Sequence, residues 1–262
     1  MLAATVTIGV FGLFHPHALD IAPWGPSRIA LQCAHRTLEG ASARFRIITD
    51  CTATGNNGGR VDFLLVVPPN RIQRHFHGTL RVTRQADGEL IAAVTMPLEV
   101  AVASTVAAES PANAAATMLE AQAIVTRSYF SASPRHTAYD FCDTTHCQFL
   151  KEPPSPASPA ARAAHDTTGR VLFYRERIIA AFYSAKCDNQ LAPLPASQAG
   201  AAYPYFAVKC DYCARNPSRA APKANARPHH HGLCQLGAQD MAQHGSTAAQ
   251  ILAHYYPGAE LR

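Results

Sequence analysis

The N-terminal third of the chain alternates hydrophobic and polar residues, the pattern expected of half-buried β-strands. Near the start, Val6, Ile8 and Val10 alternate with threonine and glycine, which predicts the first strand. Further strands are predicted over residues 45–49, 61–67, 79–83 and 89–95. Asp87-Gly88 separates the last two and favours the tight turn of a hairpin. Another turn is predicted at Asn56–Gly59.

Alanine-rich helices are predicted in the middle and at the end of the chain. Pro111–Phe130 is the main one, with Ser110 as its cap and proline in its first turn. Near the C-terminus, a glycine-containing loop leads into a short helix, and a second helical segment stops at Pro257-Gly258. Two loops rich in proline and small or polar residues are predicted at 151–164 and 216–228, and a hairpin at 171–174 and 178–184.

These elements predict an α+β fold. We expect a β-rich N-terminal lobe, an alanine-rich central helix and a short helical C-terminal segment arranged around a cleft. The strand-rich residues 1–74 are expected to pack on the same domain as residues 75–262. The 262 residues suffice for a sizeable core, and 48% hydrophobic with 16% charged residues indicates a globular chain.

Charge and hydropathy exclude several classes of partner. The net charge of +5 is small and the basic residues are scattered, so nucleic-acid binding is not indicated. No hydrophobic run reaches the length of about 20 residues that a membrane span needs. Residues 2–14 are hydrophobic but lack the basic start and cleavage site of an export signal, so a strand is the preferred interpretation.

One compact group of cysteines and histidines suggests a metal site. His136, Cys142, His146 and Cys147 offer two thiolates and two imidazoles within twelve residues. This donor set suits tetrahedral zinc, and a closed shell of four ligands makes the metal structural. The alternative is a pair of buried thiols with His136 in a loop.

The remaining cysteines and histidines leave several possibilities open. Four cysteines, Cys187, Cys210, Cys213 and Cys234, suit a second zinc site, a pair of disulfides or free thiols. Cys33 and Cys51 are left over and are candidates to bridge each other. The run His229–His231 follows a polar loop, and such runs are more often a solvated patch than a metal site.

Four motifs lie in order along the rest of the chain: Glu109-Ser110-Pro111, Glu120–Tyr129, Cys142–Gln148 and His231–Gly258. Together they resemble the SpoIID/LytB family, the sporulation stage II protein D group. The second motif is similar to the family's "KAQAVAARTY" helix, the third to its "DTTHCQ" block and the fourth to its C-terminal signature. The resemblance covers roughly residues 75 to 258, whereas the first 70 residues resemble no family that we can name.

The resemblance implies an enzyme, a peptidoglycan lytic transglycosylase that cleaves glycan strands. It also implies a location in the cell envelope, exported or periplasmic, and zinc in the block that contains Cys142. By the same resemblance Glu109 is the single catalytic carboxyl group, acting first as acid and then as base. Without the resemblance, an acidic residue before a predicted helix is more simply explained as a helix cap.

The resemblance also assigns substrate-binding roles. His231 and Gln235 are expected to line the substrate cleft, and Gln122 and Arg127 to bind substrate from the central helix. Arg127 follows Glu109 by 18 residues, which in one continuous helix is roughly 27 Å, so we assign it a structural or remote-subsite role. Glu120 stands where the family usually has lysine.

Other functions remain open at this point. The family also includes amidase enhancers, so the alternative is a non-catalytic wall-binding protein with a cell-wall amidase as partner. A plain hydrolase would need a second carboxylate, for which Asp140 and Asp143 are the candidates. Catalysis by the zinc itself would need an open coordination position.

Overall fold

The fold is that of a computed structural model, in which the described residues are 4–34, 36–69, 72–187, 190–191, 193–194, 203–216 and 231–262. The predicted loop after residue 216 and the histidines His229 and His230 lie outside the described residues. The chain forms two compact units. Unit 1 comprises Ala3–Ala108 with Pro134–Pro154, and unit 2 comprises Glu109–Ser133 with Ser155–Arg262.

Unit 1 is built on one large mixed sheet. Its strands are β1 (Thr5–Val10), β2 (Leu19–Pro23), β3 (Ile29–Cys33), β4 (Arg36–Gly40), β5 (Phe45–Ile47), β6 (Cys51–Gly55), β7 (Val61–Val67), β8 (Ile72–Arg84), β9 (Leu90–Pro97) and β10 (Phe141–Cys142). Their order is β10-β1-β9-β8-β6-β3-β4, while β7 pairs with β8 and β2, and β2 pairs with β5. The short β10 is parallel to β1, which brings the segment after residue 134 to the edge of the sheet.

The predicted strands of unit 1 are confirmed. Val6, Ile8 and Val10 of β1 are at most 3% exposed, because the alternation places them on the buried face of the sheet. The hairpin of β8 and β9 closes at Gly88, whose φ of 90° is the left-handed conformation that glycine adopts readily. Cys33 and Cys51 lie opposite each other on neighbouring strands and form a disulfide.

The predicted central helix is present, but its predicted start is wrong. Helix α1 spans Leu98–Glu109, and helix α2 spans Ala116–Ser131. Between them, Pro111 begins a turn in which Ala114 donates its N–H to the proline carbonyl. Glu109 is therefore the last residue of α1 and does not begin the next helix. Because Glu109 and Arg127 lie on two separate helices, the separation predicted for them along one continuous helix does not apply.

Among its described residues, unit 2 contains the remaining helices, one sheet of three short strands and two pairs of short strands. The helices are α2, α3 (Pro159–Asp166), α4 (Asp211–Arg215), α5 (Gln235–Gln243) and α6 (Ala248–Tyr255). The strands are β11 (Leu172–Tyr174), β12 (Arg177–Ile178), β13 (Tyr183–Ser184), β14 (Gln190–Leu191), β15 (Val208–Lys209), β16 (Leu233–Cys234) and β17 (Glu260–Leu261). Strand β13 runs parallel to β16.

The prediction of a loop over Lys151–Ala164 is wrong in its second half. Helix α3 begins at Pro159, and the hydroxyl of Ser158 accepts a hydrogen bond from the Ala161 N–H at 3.1 Å. Serine as the cap and proline in the first turn are good helix-start residues, and alanine favours the body. The Pro257-Gly258 stop is confirmed, since α6 ends at Tyr255.

The observed mixture of helices and strands confirms the α+β fold class. In the part of the chain that the structure describes, no helix is both long and apolar enough to span a membrane.

Candidate functional site

Glu109 lies at the C-terminal end of α1, where the helix gives way to the turn at Pro111. Glu109 is half-buried. The hydroxyl of Ser110, predicted to cap a following helix, is buried and has no hydrogen-bond partner among the described residues. The capping explanation of this segment is therefore not supported by the geometry.

Gln235 contacts two other residues that sequence reasoning assigned to the site. Its side-chain Nε2 donates to the main-chain carbonyl of Glu109 at 3.1 Å and to Oε1 of Gln122 at 3.3 Å. Gln122 in turn donates to the hydroxyl of Thr126, one turn further along α2, at 3.4 Å. Glu109, Gln122 and Gln235, which are far apart in the sequence, thus meet in unit 2.

Tyr183 is a further residue at this site, and sequence reasoning missed it. Its hydroxyl oxygen is buried and makes no hydrogen bond of standard geometry within the described ranges. Burial, followed by the negative charge of Glu109, raises the pKa of Tyr183 well above its ordinary value. The phenol therefore stays neutral, and it lies close enough to Glu109 for the carboxyl group to influence its pKa.

The position of Tyr183 depends on Gly232. Strand β13 pairs with β16 so that Tyr183 lies opposite Leu233, and the Leu233 N–H donates to the Phe182 carbonyl at 3.1 Å. Gly232 has a φ of 74°, and a Cβ atom at this position would lie 1.9 Å from the Phe182 carbonyl oxygen. A glycine is therefore required for the two segments to approach this closely.

An aromatic cluster supports β13 from one side. The rings of Phe182 and Tyr205 stack at 5.1 Å, and Tyr129 of α2 lies 6.0 Å from Phe182. The Tyr205 hydroxyl accepts a hydrogen bond from the Phe182 N–H at 2.9 Å and donates to the Ala180 carbonyl. His231 is half-buried, with its ring 6.2 Å from that of Tyr205.

The predicted metal ligands of unit 1 lie together. One donor atom from each of His136, Cys142, His146 and Cys147 lies within 4.8 Å of all the others. The Sγ–N separations are 3.4 Å for Cys147 and His136, 3.6 Å for Cys142 and His146, and 3.6 Å for Cys147 and His146. Tetrahedral zinc with ordinary bond lengths places sulfur and nitrogen ligands about 3.6 Å apart, so these residues fit the metal.

The electrostatics of this group also suit a cation. Hydrogen bonds from Cys147, Thr144 and His146 lower the pKa of the Cys142 thiol, although burial opposes them. A thiolate is the form of cysteine that binds a metal. Beside the group lies a cavity of about 430 Å³, lined in part by Gly9, Tyr139 and three of the four candidate ligands.

Asp143 anchors the metal-binding segment to the sheet of unit 1. Its Oδ2 accepts hydrogen bonds from Arg74 at 2.6 Å and from the Phe11 N–H at 3.1 Å, and its own N–H donates to the Gly9 carbonyl. Burial raises the pKa of Asp143, while the neighbouring Arg74 opposes the rise. Asp140 is held in the same way, since it accepts from the Thr7 N–H at 2.8 Å. Both carboxylates therefore have structural contacts.

Residues 86–174 match the SpoIID family model, Stage II sporulation protein. The resemblance drawn from the motifs is thereby confirmed over this segment. No curated protein matches the chain. The SpoIID segment includes α1, Glu109, α2 and the four candidate ligands of unit 1, whereas Tyr183 and Gln235 lie beyond it. The match supports a sporulation or cell-wall related role.

Arg127 of the SpoIID segment is fully buried. Its guanidinium donates to the Ala164 carbonyl at 2.9 Å, to the Arg170 carbonyl at 3.2 Å and to the Thr167 hydroxyl at 3.3 Å. These contacts tie α2 to α3 and to the segment that follows it. Of the structural and remote-subsite roles considered for Arg127, these contacts support the structural one. The N–H groups of the guanidinium already donate to acceptors of the protein itself.

Proposed function

We propose that the chain cleaves peptidoglycan glycan strands as a lytic transglycosylase, with Glu109 as its catalytic residue. The observation that carries this proposal is the convergence on Glu109. Gln235 binds its main-chain carbonyl, and the buried Tyr183 lies near enough for the Glu109 charge to raise its pKa. The SpoIID match supplies the link to the cell wall.

The reaction needs only one carboxyl group. Glu109 donates its proton to the glycosidic oxygen as the bond to the sugar breaks, and an oxocarbenium-like centre develops. The 6-hydroxyl of the same sugar then attacks that centre, and the Glu109 carboxylate accepts the hydroxyl proton. The product carries a 1,6-anhydro ring, no water is consumed, and Glu109 regains the proton that it gave.

The observed position of Glu109 suits this role better than the predicted one. A helix C-terminus carries partial negative charge, which disfavours a second negative charge and so favours the protonated carboxyl group. A helix N-terminus would have had the opposite effect. Tyr183 is too weak an acid to ionise beside Glu109, so we assign it a positioning role as a neutral, buried neighbour of the carboxyl group.

The group of His136, Cys142, His146 and Cys147 is proposed to bind one structural zinc ion. Zinc bound by four protein ligands stabilises the fold and leaves no position for a reacting water. Asp143 lies between the candidate ligands Cys142 and His146, and it forms an ion pair with Arg74. The metal and this ion pair would therefore stabilise the same segment. The zinc site lies in unit 1 and Glu109 in unit 2, and the proposed chemistry makes no use of the metal.

The proposed substrate and location agree with other features of the chain. Glycan strands of the wall are the partner, and the small positive charge of +5 favours association with an anionic wall. The disulfide between Cys33 and Cys51 fits an oxidising compartment, as expected for a protein of the cell envelope.

The test is a digest of purified glycan strands by the wild type and by Glu109→Gln, followed by mass analysis of the fragments. We expect 1,6-anhydro ends from the wild type and a loss of at least about a hundredfold in rate for the variant. Glu120→Gln, a matched change on α2, should keep the wild-type rate. Strand binding without cleavage by any of the three would favour the wall-binding or amidase-enhancing alternative.

A further inference from the structure

Four buried cysteines of unit 2 form a group that the proposed function does not use. Cys187 follows strand β13, Cys210 and Cys213 flank the start of α4, and Cys234 ends β16. Each of the four is at most 1% exposed. Their sulfur atoms all lie within 4.8 Å of one another.

We propose that Cys187, Cys210, Cys213 and Cys234 bind a second zinc ion as four thiolates. In tetrahedral zinc with four sulfur ligands the sulfur atoms lie about 3.8 Å apart. The sulfurs of Cys213 and Cys234 are 3.6 Å apart. The site is independent of the proposed reaction.

Disulfides fit these four residues less well than a metal does. In a disulfide two sulfurs lie about 2 Å apart, and each bond joins one pair of cysteines. The pair Cys33 and Cys51 is bonded in this way, whereas the four cysteines of unit 2 are free and clustered around one point. A single cation at that point would bind all four sulfurs at once, whereas each disulfide joins only two of them.

The surroundings of the four sulfurs suit thiolates. Cys234 is the N-cap of α5, and its sulfur accepts a hydrogen bond from the Gly237 N–H at 3.5 Å. The Tyr255 hydroxyl lies 3.7 Å from the sulfur of Cys210. Hydrogen-bond donors around a metal-bound sulfur hold the ligand in place and spread its negative charge.

Gly237 makes room for this arrangement. A Cβ atom at this position would lie 2.6 Å from the Cys210 sulfur and 2.1 Å from the Tyr255 hydroxyl oxygen. Any side chain there would displace one of the four sulfurs or the tyrosine that contacts it. The first turn of α5 is therefore built closely around the cysteine group.

The second zinc would also fix Gln235, which directly follows Cys234. Gln235 is the residue that binds the main-chain carbonyl of Glu109 and the side chain of Gln122. The metal would thus position this contact from the first turn of α5. This consequence rests on the proposed function, whereas the metal site itself does not.

The first test uses the wild-type protein, purified without chelator or added reductant. We expect two zinc equivalents by metal analysis, one from each unit. In denaturant with a chelator, six thiols should react, because two of the eight cysteines are in the disulfide. Two reactive thiols with at most one zinc would mean disulfides in unit 2 and would overturn the proposal. Six thiols with a single zinc equivalent would overturn it as well.

The second test assigns each metal to its ligands. Cys213→Ser with Cys234→Ser should remove one zinc equivalent and leave the other, and Cys142→Ser with Cys147→Ser is the matched control in unit 1. If either variant fails to fold, cobalt substitution of the wild type replaces it. With four thiolates in unit 2 and two in unit 1, the wild type would have six thiolates bound to cobalt. Its thiolate-to-cobalt absorption should then be threefold that expected from the two thiolates of unit 1 alone. Absorption from two thiolates only would contradict a site in unit 2.

Discussion

Replacing Arg74 by methionine is expected to destabilise unit 1 and to weaken its metal site. The guanidinium lies 2.6 Å from the carboxylate of Asp143 and 3.1 Å from the Leu150 carbonyl oxygen, and it packs over the Phe11 ring at 5.2 Å. The side chains of Arg74 and Asp143 are only 15% and 3% exposed. Methionine retains much of the packing but removes the charge.

The magnitude follows from the burial of this pair. Removing one partner of a buried ion pair costs about 3–5 kcal/mol. Burial already raises the pKa of Asp143, so the carboxyl group can take up a proton and limit the loss. We therefore expect about 3 kcal/mol, near the lower end of that range. In a unit of this size this is roughly 10 °C in the melting temperature.

The assay is thermal and urea unfolding of Arg74→Met beside Arg81→Met. Arg81 lies on the same strand, but it is exposed, and among the described residues its side chain donates only to the Ala138 carbonyl. Its loss should cost less than about 1 kcal/mol. Adding Asp143→Asn to Arg74→Met should recover part of the stability, because no buried carboxyl group is then left without its partner. An Arg74→Met protein that melts within a degree of the wild type would refute the reasoning.

Three other changes test separate parts of the structure. Cys147→Ser should lower zinc content by one equivalent and the melting temperature with it, and a variant that keeps its zinc by metal analysis would contradict this ligand. Gly232→Ala should cost about 3 kcal/mol or more in urea unfolding, because its Cβ has no room beside the Phe182 carbonyl. Tyr183→Phe should lower kcat roughly tenfold or more with little change in melting temperature, and an unchanged kcat would remove Tyr183 from the site.

Local patterns predicted the elements that depend on local physics. The strand at residues 5–10 follows from alternation, and the hairpin at Gly88 follows from a turn signal. The predicted start of the central helix was wrong. Ser110 and Pro111 are residues that favour a helix start, but in the structure they lie in the turn that follows α1, and α2 begins at Ala116. Helix α3 was missed because the prolines that precede it indicated a loop, although Ser158 followed by Pro159 is typical of a helix start.

The candidate site shows what local patterns do not contain. Glu109, Gln122 and Gln235 were identified through resemblance, and their meeting depends on contacts across more than a hundred residues. Tyr183 was missed because it reaches Glu109 only through the pairing of β13 with β16, for which no nearby sequence signal exists. Long-range pairing of this kind is set by the tertiary fold and not by the periodicity of either strand.

The central claim is that Glu109 regains its proton from the sugar's own 6-hydroxyl, so that water takes no part. The measurement is a digest of glycan strands in water labelled with heavy oxygen, with mass analysis of the released ends. The account predicts 1,6-anhydro ends that carry no label and are lighter than reducing ends by one water molecule. Reducing ends that carry one labelled oxygen would show hydrolysis and contradict the mechanism.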